Sequence, residues 1–402
     1  MNHVMTILLD YAGSGVFSHK VLFNTAGEWV RRNLPDECSE PIYASNLKNL
    51  IPQISQAHAV LLICAACPEL TESDYRHLLM THYAIGNNIT LLVSGTTDCG
   101  LAAVRNANGE IIRTGIGKGD KMLSTAVFNP KVLIEQLSGG VKNFKQMIDT
   151  ELRHRHSVDS VEVSPVIEVC DPSLAYKAQK RMVEKINLAL IESGVQIFAP
   201  ESTYISPDAQ IESGAVILPN CLIREGCKIA AGAVIGPNTI LEKASVGAGT
   251  TVNNSQIYES EIGAQATVGP FAYIRPGCHV GDHTRIGDFV ELKKAEIGDG
   301  TKVSHLTYIG DAKVGERVNF GCGTVVVNYD GYNKYQTVIG DDCFIGCNTN
   351  LVSPVSLGDR VFTAAGTTVT KDVPDGALAV ARPRQTVYEG WNDRRRAAHE
   401  KK

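Results

Sequence analysis

Residues 204–239 read YISPDA QIESGA VILPNC LIREGC KIAAGA VIGPNT, and this run of sixes decides the fold of the chain. The pattern returns over residues 262–291 as IGAQAT VGPFAY IRPGCH VGDHTR IGDFVE, and it continues to about Thr370. An aliphatic residue recurs at every sixth position and is often followed by glycine. A fixed short period indicates stacked units, because each unit is too small to bury its own apolar face.

A period of six predicts a left-handed parallel β-helix of hexapeptide repeats. Three sixes make one triangular coil of about eighteen residues, and neighbouring coils stack at the strand spacing of roughly 4.8 Å. Counting in sixes assigns the leading aliphatic residues to three faces: Val268, Ile286, Val303 and Phe320 to the first, Ile274, Leu292 and Ile309 to the second, and Val280, Ile297 and Val314 to the third. The phase must survive two five-residue units, LKKAE at 292–296 and IGDAK at 309–313.

The composition is that of a globular protein. The 402 residues are enough for two or three domains, and the formal net charge of −5 gives no indication of a nucleic-acid or anionic-membrane partner. No apolar run approaches the length of a membrane span, and the N-terminus has no signal-peptide pattern. Eleven cysteines, an odd number spread over both halves, fit a reducing compartment. We therefore expect a cytoplasmic protein, with Cys64 and Cys67 as two small core residues.

The first part of the chain, residues 1–170, lacks the period of six. Its short apolar runs TILL, AVLLICA, ITLLVS and EIIRTGIG alternate with segments of helical spacing at 72–83 and 131–137, which predicts an α/β domain with an open sheet. Gly13 and Gly15 follow the first strand, where backbone N–H groups often bind phosphate. That pattern alone is not specific.

A linker helix is predicted over residues 171–194. Asp171 can cap it, Pro172 suits its first turn and Gly194 can end it. The repeat domain then covers residues 195–381. The basic tail at 382–402 is either a solvated end or an arm that reaches a neighbouring chain or the phosphate groups of a ligand.

Arg275 and Lys293 lie eighteen positions apart, and each follows a leading aliphatic residue. On the predicted coils they lie one above the other on the second face. Two cations held one strand spacing apart repel each other unless an anion lies between them, and phosphate suits both a guanidinium and an ammonium group. The alternative is a pair of solvated charges that point away from each other, and these two residues alone do not decide between the two.

His305 lies two places after the leading residue Val303, so the register stacks it between Asp288 and Cys322. A lone histidine is more often a structural residue, but polar residues accompany this one in the same or the next coils: Glu291, Tyr308, Asn319, Asn328 and Tyr329. An imidazole that titrates near neutrality is suited to removing a proton from an amine. The sixes break at VVVNYDGYNKYQT, residues 325–337, which predicts a loop that covers a ligand.

Several C-terminal motifs are more specific than generic hexads: ELKKAEIGDGTKVSHLTYIGDAKVGERVNFGCGT, NYDGYNK, TVIGDD, AAGTTVTKDVP, ALAVARPRQ and EGW. Over roughly residues 195–391 the chain resembles the acetyltransferase half of the bifunctional N-acetylglucosamine-1-phosphate uridyltransferase/glucosamine-1-phosphate acetyltransferase family. The resemblance implies transfer of acetyl from acetyl-CoA to the amino group of glucosamine-1-phosphate, in the synthesis of UDP-N-acetylglucosamine and cell-wall precursors. It also implies a homotrimer whose acetyl sites lie between the prisms.

The resemblance further implies roles for individual residues, with His305 as the general base. The positions that match sugar-phosphate contacts are Arg275, Lys293, Tyr308, Asn319 and Lys334, together with Asn328 and Tyr329, which also match acetyl-CoA contacts. The other positions that match acetyl-CoA contacts are Cys322, Cys347, Ala365 and Arg382. The two cysteines replace the Ala and Ser that are usual in the family, which leaves the affinity for coenzyme A open.

The first half corresponds, by the same resemblance, to the uridyltransferase, and there the match is partial. KVLFNTAGEWV at 20–30 and CPELTESDYRHLL at 67–79 resemble family segments, but the glycine loop reads AGSGVFSH, and STA replaces NTG at 124–126. The two metal positions of the family hold Ala66 and Cys170, which argues against Mg²⁺ as a cofactor. We therefore expect a shortened, degenerate nucleotidyltransferase-like α/β domain without uridyltransferase activity.

Three alternatives stay open. The chain could act on another amino sugar or nucleotide sugar, it could be a still bifunctional enzyme, or it could be a non-catalytic scaffold that binds sugar phosphate or coenzyme A. A carbonic-anhydrase-like prism would need three histidines on one metal ion. His279, His283 and His305 fall on different faces in the predicted register, so we expect no metal site.

Overall fold

The structure is a computed structural model that describes residues 3–10, 14–95, 101–115, 120–154 and 157–400. The chain divides into two units, Met1–Lys185 and Ile186–Lys402, and the boundary falls within one long helix. Within these described ranges, no helix is long and apolar enough to cross a membrane.

The first unit is built from strands and helices in alternation. Its strands are β1 Val4–Leu9, β2 Lys20–Val21, β3 Asn24–Thr25, β4 Ile42–Ala44, β5 Ala59–Ile63, β6 Ile89–Ser94, β7 Leu101–Arg105, β8 Ile111–Gly115, β9 Asp120–Phe128 and β10 Val158–Val163. Its α-helices are α1 Ala26–Asn33, α2 Ile51–Ile54, α3 Glu72–Ile85, α4 Pro130–Ser138 and α5 Phe144–Arg153, with 3₁₀ turns at Val16–Ser18 and Leu47–Leu50. The long helix that follows, α6, covers Pro172–Glu192.

The main sheet of this unit has the strand order β10-β6-β9-β5-β1-β4. β1 pairs in parallel with β4 and β5, and β6 with β10, whereas β9 runs antiparallel between β5 and β6. Residues of α1, α3 and α6 pack in one core cluster of the sheet, and residues of α2, α4 and α5 pack in the other. The predicted α/β domain is confirmed, although the sequence analysis missed the helices α1, α2 and α5 and the strands β2, β3, β4, β7, β9 and β10.

The second unit is a parallel β-helix. The strands of its first face are β11 Gln196–Ile197, β14 Val216–Ile217, β17 Val234–Ile235, β20 Thr251–Val252, β23 Thr267–Val268, β26 Arg285–Asp288, β28 Lys302–His305, β30 Asn319–Phe320, β33 Phe344–Ile345, β36 Phe362–Thr363 and β38 Leu378–Ala379. The strands of its second face are β12 Tyr204–Ile205, β15 Leu222–Ile223, β18 Ile240–Glu242, β21 Gln256–Tyr258, β24 Tyr273–Ile274, β27 Glu291–Ile297, β29 Tyr308–Val314, β31 Val325–Val327, β34 Asn350–Val352 and β37 Thr368–Val369.

The third face shares β27 and β29 with the second, because these two strands continue around the corner between them. Its other strands are β13 Gln210–Ile211, β16 Lys228–Ile229, β19 Ser245–Val246, β22 Glu261–Ile262, β25 His279–Val280, β32 Thr337–Ile339 and β35 Val355–Leu357. A 3₁₀ turn at Pro200–Ser202 lies near the start of the β-helix, and helix α7, Trp391–His399, follows its last strand.

The predicted assignment of leading residues to three faces is confirmed by the strand register. The partners are Val268, Ile286, Val303 and Phe320 on the first face, Ile274, Leu292 and Ile309 on the second, and Val280, Ile297 and Val314 on the third. All of them are buried, so the core of this unit is a column of apolar rungs.

The two five-residue units keep the phase because a single residue makes the corner. Lys294 and Asp311 lie at equivalent points of β27 and β29, and their φ angles are 46° and 48°. The inserted segment after β31 is a tight hairpin, in which the Tyr335 N–H donates to the Asn328 carbonyl at 2.9 Å. The register therefore resumes at β32 without a shift of face.

Aspartates of the repeated Gly-Asp pairs cross-link the coils at the corner after the third face. The Asp282 carboxylate accepts the Ala264 N–H of the preceding coil at 2.6 Å, and the Asp299 carboxylate accepts the Asp282 N–H at 2.8 Å. The same contact recurs toward the C-terminal end, where the Asp359 carboxylate accepts the Asp341 N–H at 2.9 Å. These side chains satisfy backbone donors that the turns leave unpaired.

Helix α6 begins and ends as the sequence predicts. The Leu174 N–H donates to the Asp171 side chain at 2.9 Å, and Gly194, with a φ of 97°, lies just beyond the last helical turn. Met182 packs in the core of the first unit, and Ile186 packs against the core of the second.

Leu292→Ala should lower the free energy of unfolding by about 2–5 kcal/mol, because it leaves a cavity in a column that the neighbouring coils cannot close. Leu292 is fully buried between Ile274 and Ile309. Urea denaturation measures the loss. The control is Leu378→Ala, at a leucine that is 62% exposed, and it should cost less than about 0.5 kcal/mol. Equal losses would contradict a core confined to the leading positions.

Candidate active site

Arg275 and Lys293 lie in neighbouring coils on the second face, since the residues before them are register partners. Arg275 Nη1 is 2.9 Å from Glu291 Oε1. Lys293 Nζ is 3.2 Å from Asp311 Oδ2, and Lys293 is only 9% exposed. Both cations are therefore held by carboxylates rather than extended into solvent. The sequence analysis missed these pairings, because they depend on which way the side chains turn at a corner.

Gly310 leaves room for polar groups above Lys293. It is the register partner of Lys293 in the next coil. A Cβ atom placed on Gly310 would lie 2.3 Å from the Tyr308 hydroxyl and 2.7 Å from the Asn328 side-chain nitrogen. The Asn328 amide also donates to the Asp311 carboxylate. Counting in the register aligns Gly310 with Lys293, so the sequence alone shows a glycine next to the two cations. The sequence analysis missed this.

The inserted hairpin brings a second ammonium group to Lys293. Tyr329 and Lys334 form an antiparallel bridge across the hairpin, and the Asp330 carboxylate accepts two backbone N–H groups of its turn at 2.8 and 2.6 Å. Contact with Lys293 lowers the pKa of Lys334, as expected for two cations side by side. An anion between these ammonium groups would relieve their repulsion.

His305 is oriented by an aspartate of the coil below. The two residues are register partners, and His305 Nδ1 is 2.6 Å from Asp288 Oδ1. The hydrogen bond with His305 holds the pKa of Asp288 below its ordinary value, so the aspartate accepts and Nδ1 carries the proton. Nε2 of a neutral imidazole is then left to accept a proton. The sequence placed Asp288 beneath His305 but did not predict this pairing.

Three residues that match acetyl-CoA contacts lie in successive coils above His305, at the same corner of the β-helix. Cys322 lies one coil above His305 and Cys347 one coil above Cys322, as the pairing of β28 with β30 and of β30 with β33 requires. Ala365 lies a further coil up, in the turn after β36. Arg382 is exposed and follows the last strand, β38. We name His305, Cys322, Cys347 and Ala365 the corner column.

Within the single chain, the predicted site residues lie in more than one place. Arg275, Lys293, Tyr308, Asn328 and Lys334 cluster at the second face, and the corner column lies where the first face meets the second. Asn319 belongs to the first face, where its register partners are Lys302 and Phe344. Tyr329 is 54% exposed, and its hydroxyl donates to the Gly331 carbonyl within the hairpin.

The glycine loop of the first unit binds a carboxylate of its own chain. Asp10 accepts hydrogen bonds from the Ser14 N–H at 2.9 Å, from the Ser14 hydroxyl at 2.6 Å and from the Gly15 N–H at 2.8 Å. Burial opposes ionisation of Asp10, but these hydrogen bonds outweigh it, and the pKa of Asp10 lies below its ordinary value. Gly13, the other glycine of the predicted pattern, lies outside the described residues.

The two positions that match metal ligands are neighbours but do not suit magnesium. Ala66 and Val169 form an antiparallel bridge, which places Cys170 beside Ala66. Ala66 is buried and offers no side-chain oxygen, and the exposed Cys170 offers a soft sulfur, whereas Mg²⁺ requires oxygen ligands. In the described part of the chain, no three His, Cys, Asp or Glu side chains converge on a point that could hold a metal ion.

His279, His283 and His305 lie at different places on the β-helix, and Cys64 and Cys67 pack in the cores of the first unit. His279 is on the third face and contacts Glu261, His283 lies at a corner with a φ of 55°, and His305 is on a different corner. Burial raises the pKa of both the Cys64 and the Cys67 thiol, as expected for two core cysteines.

Comparison with known proteins places the chain in a family. The family model for the bacterial transferase hexapeptide (six repeats) matches residues 202–237, 259–294 and 336–371. The Bifunctional protein GlmU of Clostridium beijerinckii is 52% identical over 361 residues, a match that covers 84% of this chain and 78% of that protein. The chain belongs to the GlmU family. The family recognised from the C-terminal motifs is thereby confirmed.

Other GlmU relatives match over a shorter range. Those of Clostridium perfringens and Clostridium acetobutylicum are both 54% identical, over 220 and 216 residues. The chain spans about half the length of these relatives, 48% and 47%. Among solved structures, a CMP:2-keto-3-deoxy-manno-octonic acid synthetase complexed with CTP is 11% identical, covers 46% of this chain and all of that one, and has a TM-score of 0.38. An Arabidopsis UDP-N-acetylglucosamine acyltransferase is 19% identical, with 43% and 70% coverage and a TM-score of 0.31.

If the cluster above Lys293 holds a sugar phosphate, Gly310→Ala should weaken binding of glucosamine-1-phosphate roughly tenfold or more, because the new Cβ displaces the Tyr308 hydroxyl and the Asn328 amide from this space. Isothermal titration calorimetry measures the change. Gly115→Ala is the matched control, since a Cβ there meets nothing within 4 Å. Unchanged affinity in Gly310→Ala would place the sugar phosphate elsewhere.

Proposed function

We propose that this GlmU-family chain transfers the acetyl group of acetyl-CoA to the 2-amino group of glucosamine-1-phosphate, giving N-acetylglucosamine-1-phosphate and free coenzyme A. The observation that carries the proposal is the Asp288–His305 pair, with 2.6 Å between Oδ1 and Nδ1, on the corner next to the cations of the second face. Identity of 52% over 361 residues to a GlmU protein supports the same reaction. The product would serve the synthesis of UDP-N-acetylglucosamine and peptidoglycan in the cytoplasm.

The cations of the second face would hold the phosphate group. Lys293 is nearly buried, and its ammonium group lies beside that of Lys334, so an anion between them gains two charge-assisted contacts. Arg275, in the coil below, adds a guanidinium fork. The Tyr308 hydroxyl and the Asn328 amide, which crowd the space above Gly310, would bind sugar hydroxyls.

His305 would act as the general base. With Nδ1 bonded to Asp288, Nε2 takes the proton that the amine loses as its nitrogen attacks the thioester carbonyl. Asp288 then stabilises the imidazolium that forms. A backbone N–H of the next coil would donate to the oxyanion. Holding both substrates together supplies much of the rate enhancement, since effective molarities can reach ~10⁵ M or more.

The corner column would carry acetyl-CoA toward His305. Cys322, Cys347 and Ala365 follow one another coil by coil above the histidine, and Arg382 lies beyond them, suited to a coenzyme phosphate. The thioester at the end of the pantetheine arm would then reach the lower end of the column, where the amine is activated.

The complete site would form in a homotrimer. Phe271 and Phe289 stack with ring centroids 5.4 Å apart, and Phe271, Phe289 and Leu306 are 57–59% exposed along one corner. Such a strip of exposed apolar side chains favours burial against another protein surface. Asn319 is on the first face, so it could join the cations of the second face only from a neighbouring copy.

The first unit would lack uridyltransferase activity. Ala66 and Cys170 give magnesium no oxygen ligand, and Asp10 occupies backbone donors of the glycine loop. A triphosphate without its metal ion would meet unscreened repulsion in the transition state. The domain would be retained for stability, assembly or regulation.

His305→Ala should lower kcat by roughly 10² to 10⁴, with little change in the affinity for glucosamine-1-phosphate, because the base acts only once the amine attacks. Release of free coenzyme A thiol from acetyl-CoA measures the rate. His279→Ala, at an exposed histidine of the third face, is the control and should leave kcat unchanged. Near-normal turnover in His305→Ala would remove His305 from the role of base.

The same assay tests the choice of acceptor. Glucosamine-1-phosphate should support thiol release, whereas UDP-linked amino sugars should not, because Lys293 and Lys334 suit a terminal phosphate group. Faster turnover with a nucleotide sugar would favour a different acceptor. Binding of both substrates without any turnover would favour a scaffold.

Incubation of the full chain with UTP, N-acetylglucosamine-1-phosphate and Mg²⁺ should release no pyrophosphate, because the two metal positions carry no oxygen ligand. Coupled pyrophosphate detection measures the rate, and acetyl transfer by the same preparation shows that the chain is folded. Turnover of UTP would mean that the enzyme is still bifunctional.

A further inference from the structure

The thiols of this chain differ sharply in exposure. Of the ten cysteines in the described ranges, three are exposed: Cys170, Cys322 and Cys347. The other seven are partly or fully buried, and burial raises the pKa of each of them. The thiolate is the reactive form, and burial both disfavours the thiolate and blocks access to it. An oxidant in solution should therefore react with the exposed cysteines first.

Two of the three exposed cysteines, Cys322 and Cys347, lie at equivalent positions of neighbouring coils. The Gly321 N–H donates to the Ile345 carbonyl at 2.7 Å, and the Asn348 N–H donates to the Cys322 carbonyl at 2.8 Å, so hydrogen bonds flank the Cys322–Cys347 pair on both sides. Adjacent strands lie about 4.7–4.9 Å apart. Disulfide-bonded cysteines have Cα separations of about 4.4–6.8 Å, so the stacking of the coils brings these two within bonding range.

We propose that Cys322 and Cys347 are a redox-sensitive dithiol site, at which a disulfide between neighbouring coils closes the corner column to coenzyme A. With a small disulfide such as oxidised glutathione as oxidant, the thiolate of one cysteine attacks one sulfur and releases one glutathione thiolate. The thiolate of the other cysteine then attacks the mixed disulfide, forms the Cys322–Cys347 bond and releases the second glutathione thiolate. Two protein thiols are oxidised, and one glutathione disulfide is reduced to two thiols.

The consequence for coenzyme binding rests on the proposed function. Cys322 and Cys347 are the two residues of the corner column between His305 and Ala365, so the pantetheine arm would pass over both sulfur atoms. A disulfide draws these side chains together and fixes them across the path of the arm. A displacement of a reacting group by about 1 Å can cost on the order of 100-fold in rate, so the thioester would lose its position at His305.

The disulfide is expected to be reversible. Both cysteines lie at the surface of a corner, and exposed disulfides belong to the readily reduced, regulatory class. Cys343 lies four residues before Cys347, but it is buried, and its thiol donates to the Gly358 carbonyl at 3.0 Å. It is therefore not positioned to compete for the exposed partner.

To test the proposal, the reduced full chain is treated with oxidised glutathione. Disulfide formation and the affinity for coenzyme A are then measured separately. Trypsin should yield peptide 318–334 joined to peptide 335–360, with a mass two hydrogens below the sum of the two. Calorimetry should show that coenzyme A binds the oxidised chain at least about tenfold more weakly than the reduced chain, because the arm loses its contacts along the column. Dithiothreitol should restore both.

Three variants identify the bond. Cys322→Ala and Cys347→Ser should each lose the joined peptides and the difference in coenzyme affinity between oxidised and reduced samples. Cys170→Ser, at an exposed cysteine of the first unit, should keep both. Separate glutathione adducts without joined peptides, or joined peptides with unchanged coenzyme affinity, would overturn the proposal. A reduced chain that does not bind coenzyme A would contradict the proposed function, and the joined peptides would still decide whether the disulfide forms.

Discussion

In-register stacking of coils is the constraint on which the second unit depends. A parallel ladder fixes each residue opposite one that lies a full coil away, and the aliphatic leads gain burial only if that register is kept. Burying one such side chain is worth roughly 1.5–3 kcal/mol, repeated at every rung. Residues far apart in sequence are thereby held one strand spacing apart without any loop to position them. Asp288 and His305 meet for this reason, and for the same reason Arg275 and Lys293 lie in neighbouring coils.

The same constraint separates the candidate site into two parts. The charged cluster occupies the second face, where Glu291 and Asp311 keep Arg275 and Lys293 in fixed positions before any ligand arrives. The corner column is less polar and more open, and His305 is more than half exposed. Under the proposed function, a phosphate group would share these cations with two carboxylates, which would favour a dianion over a weaker ligand. Reaction would then require that both parts meet at the substrate amine.

The sequence predicted the structure best in the second unit, where the period of six fixes the register. The faces of Ile274, Leu292 and Ile309, the stacking of His305 on Asp288 and the looped insertion all follow from counting in sixes. Counting gives backbone neighbours but not side-chain directions, so the pairing of Lys293 with Asp311 and the space at Gly310 were missed. In the first unit no period helps, and β9 was missed because the apolar residues of DKMLSTAVF neither form one continuous run nor alternate strictly with polar residues.

The Asp10 contact has a consequence for any phosphate that approaches the first unit. Its carboxylate sits on the donors of Ser14 and Gly15 and belongs to the same molecule, so it competes as a permanently tethered ligand whose local concentration is millimolar or above. A nucleotide would have to displace it and leave a half-buried acid without partners. Asp10 lies directly after β1, so under the proposed function a single side chain next to a buried strand would keep a nucleotide from these donors.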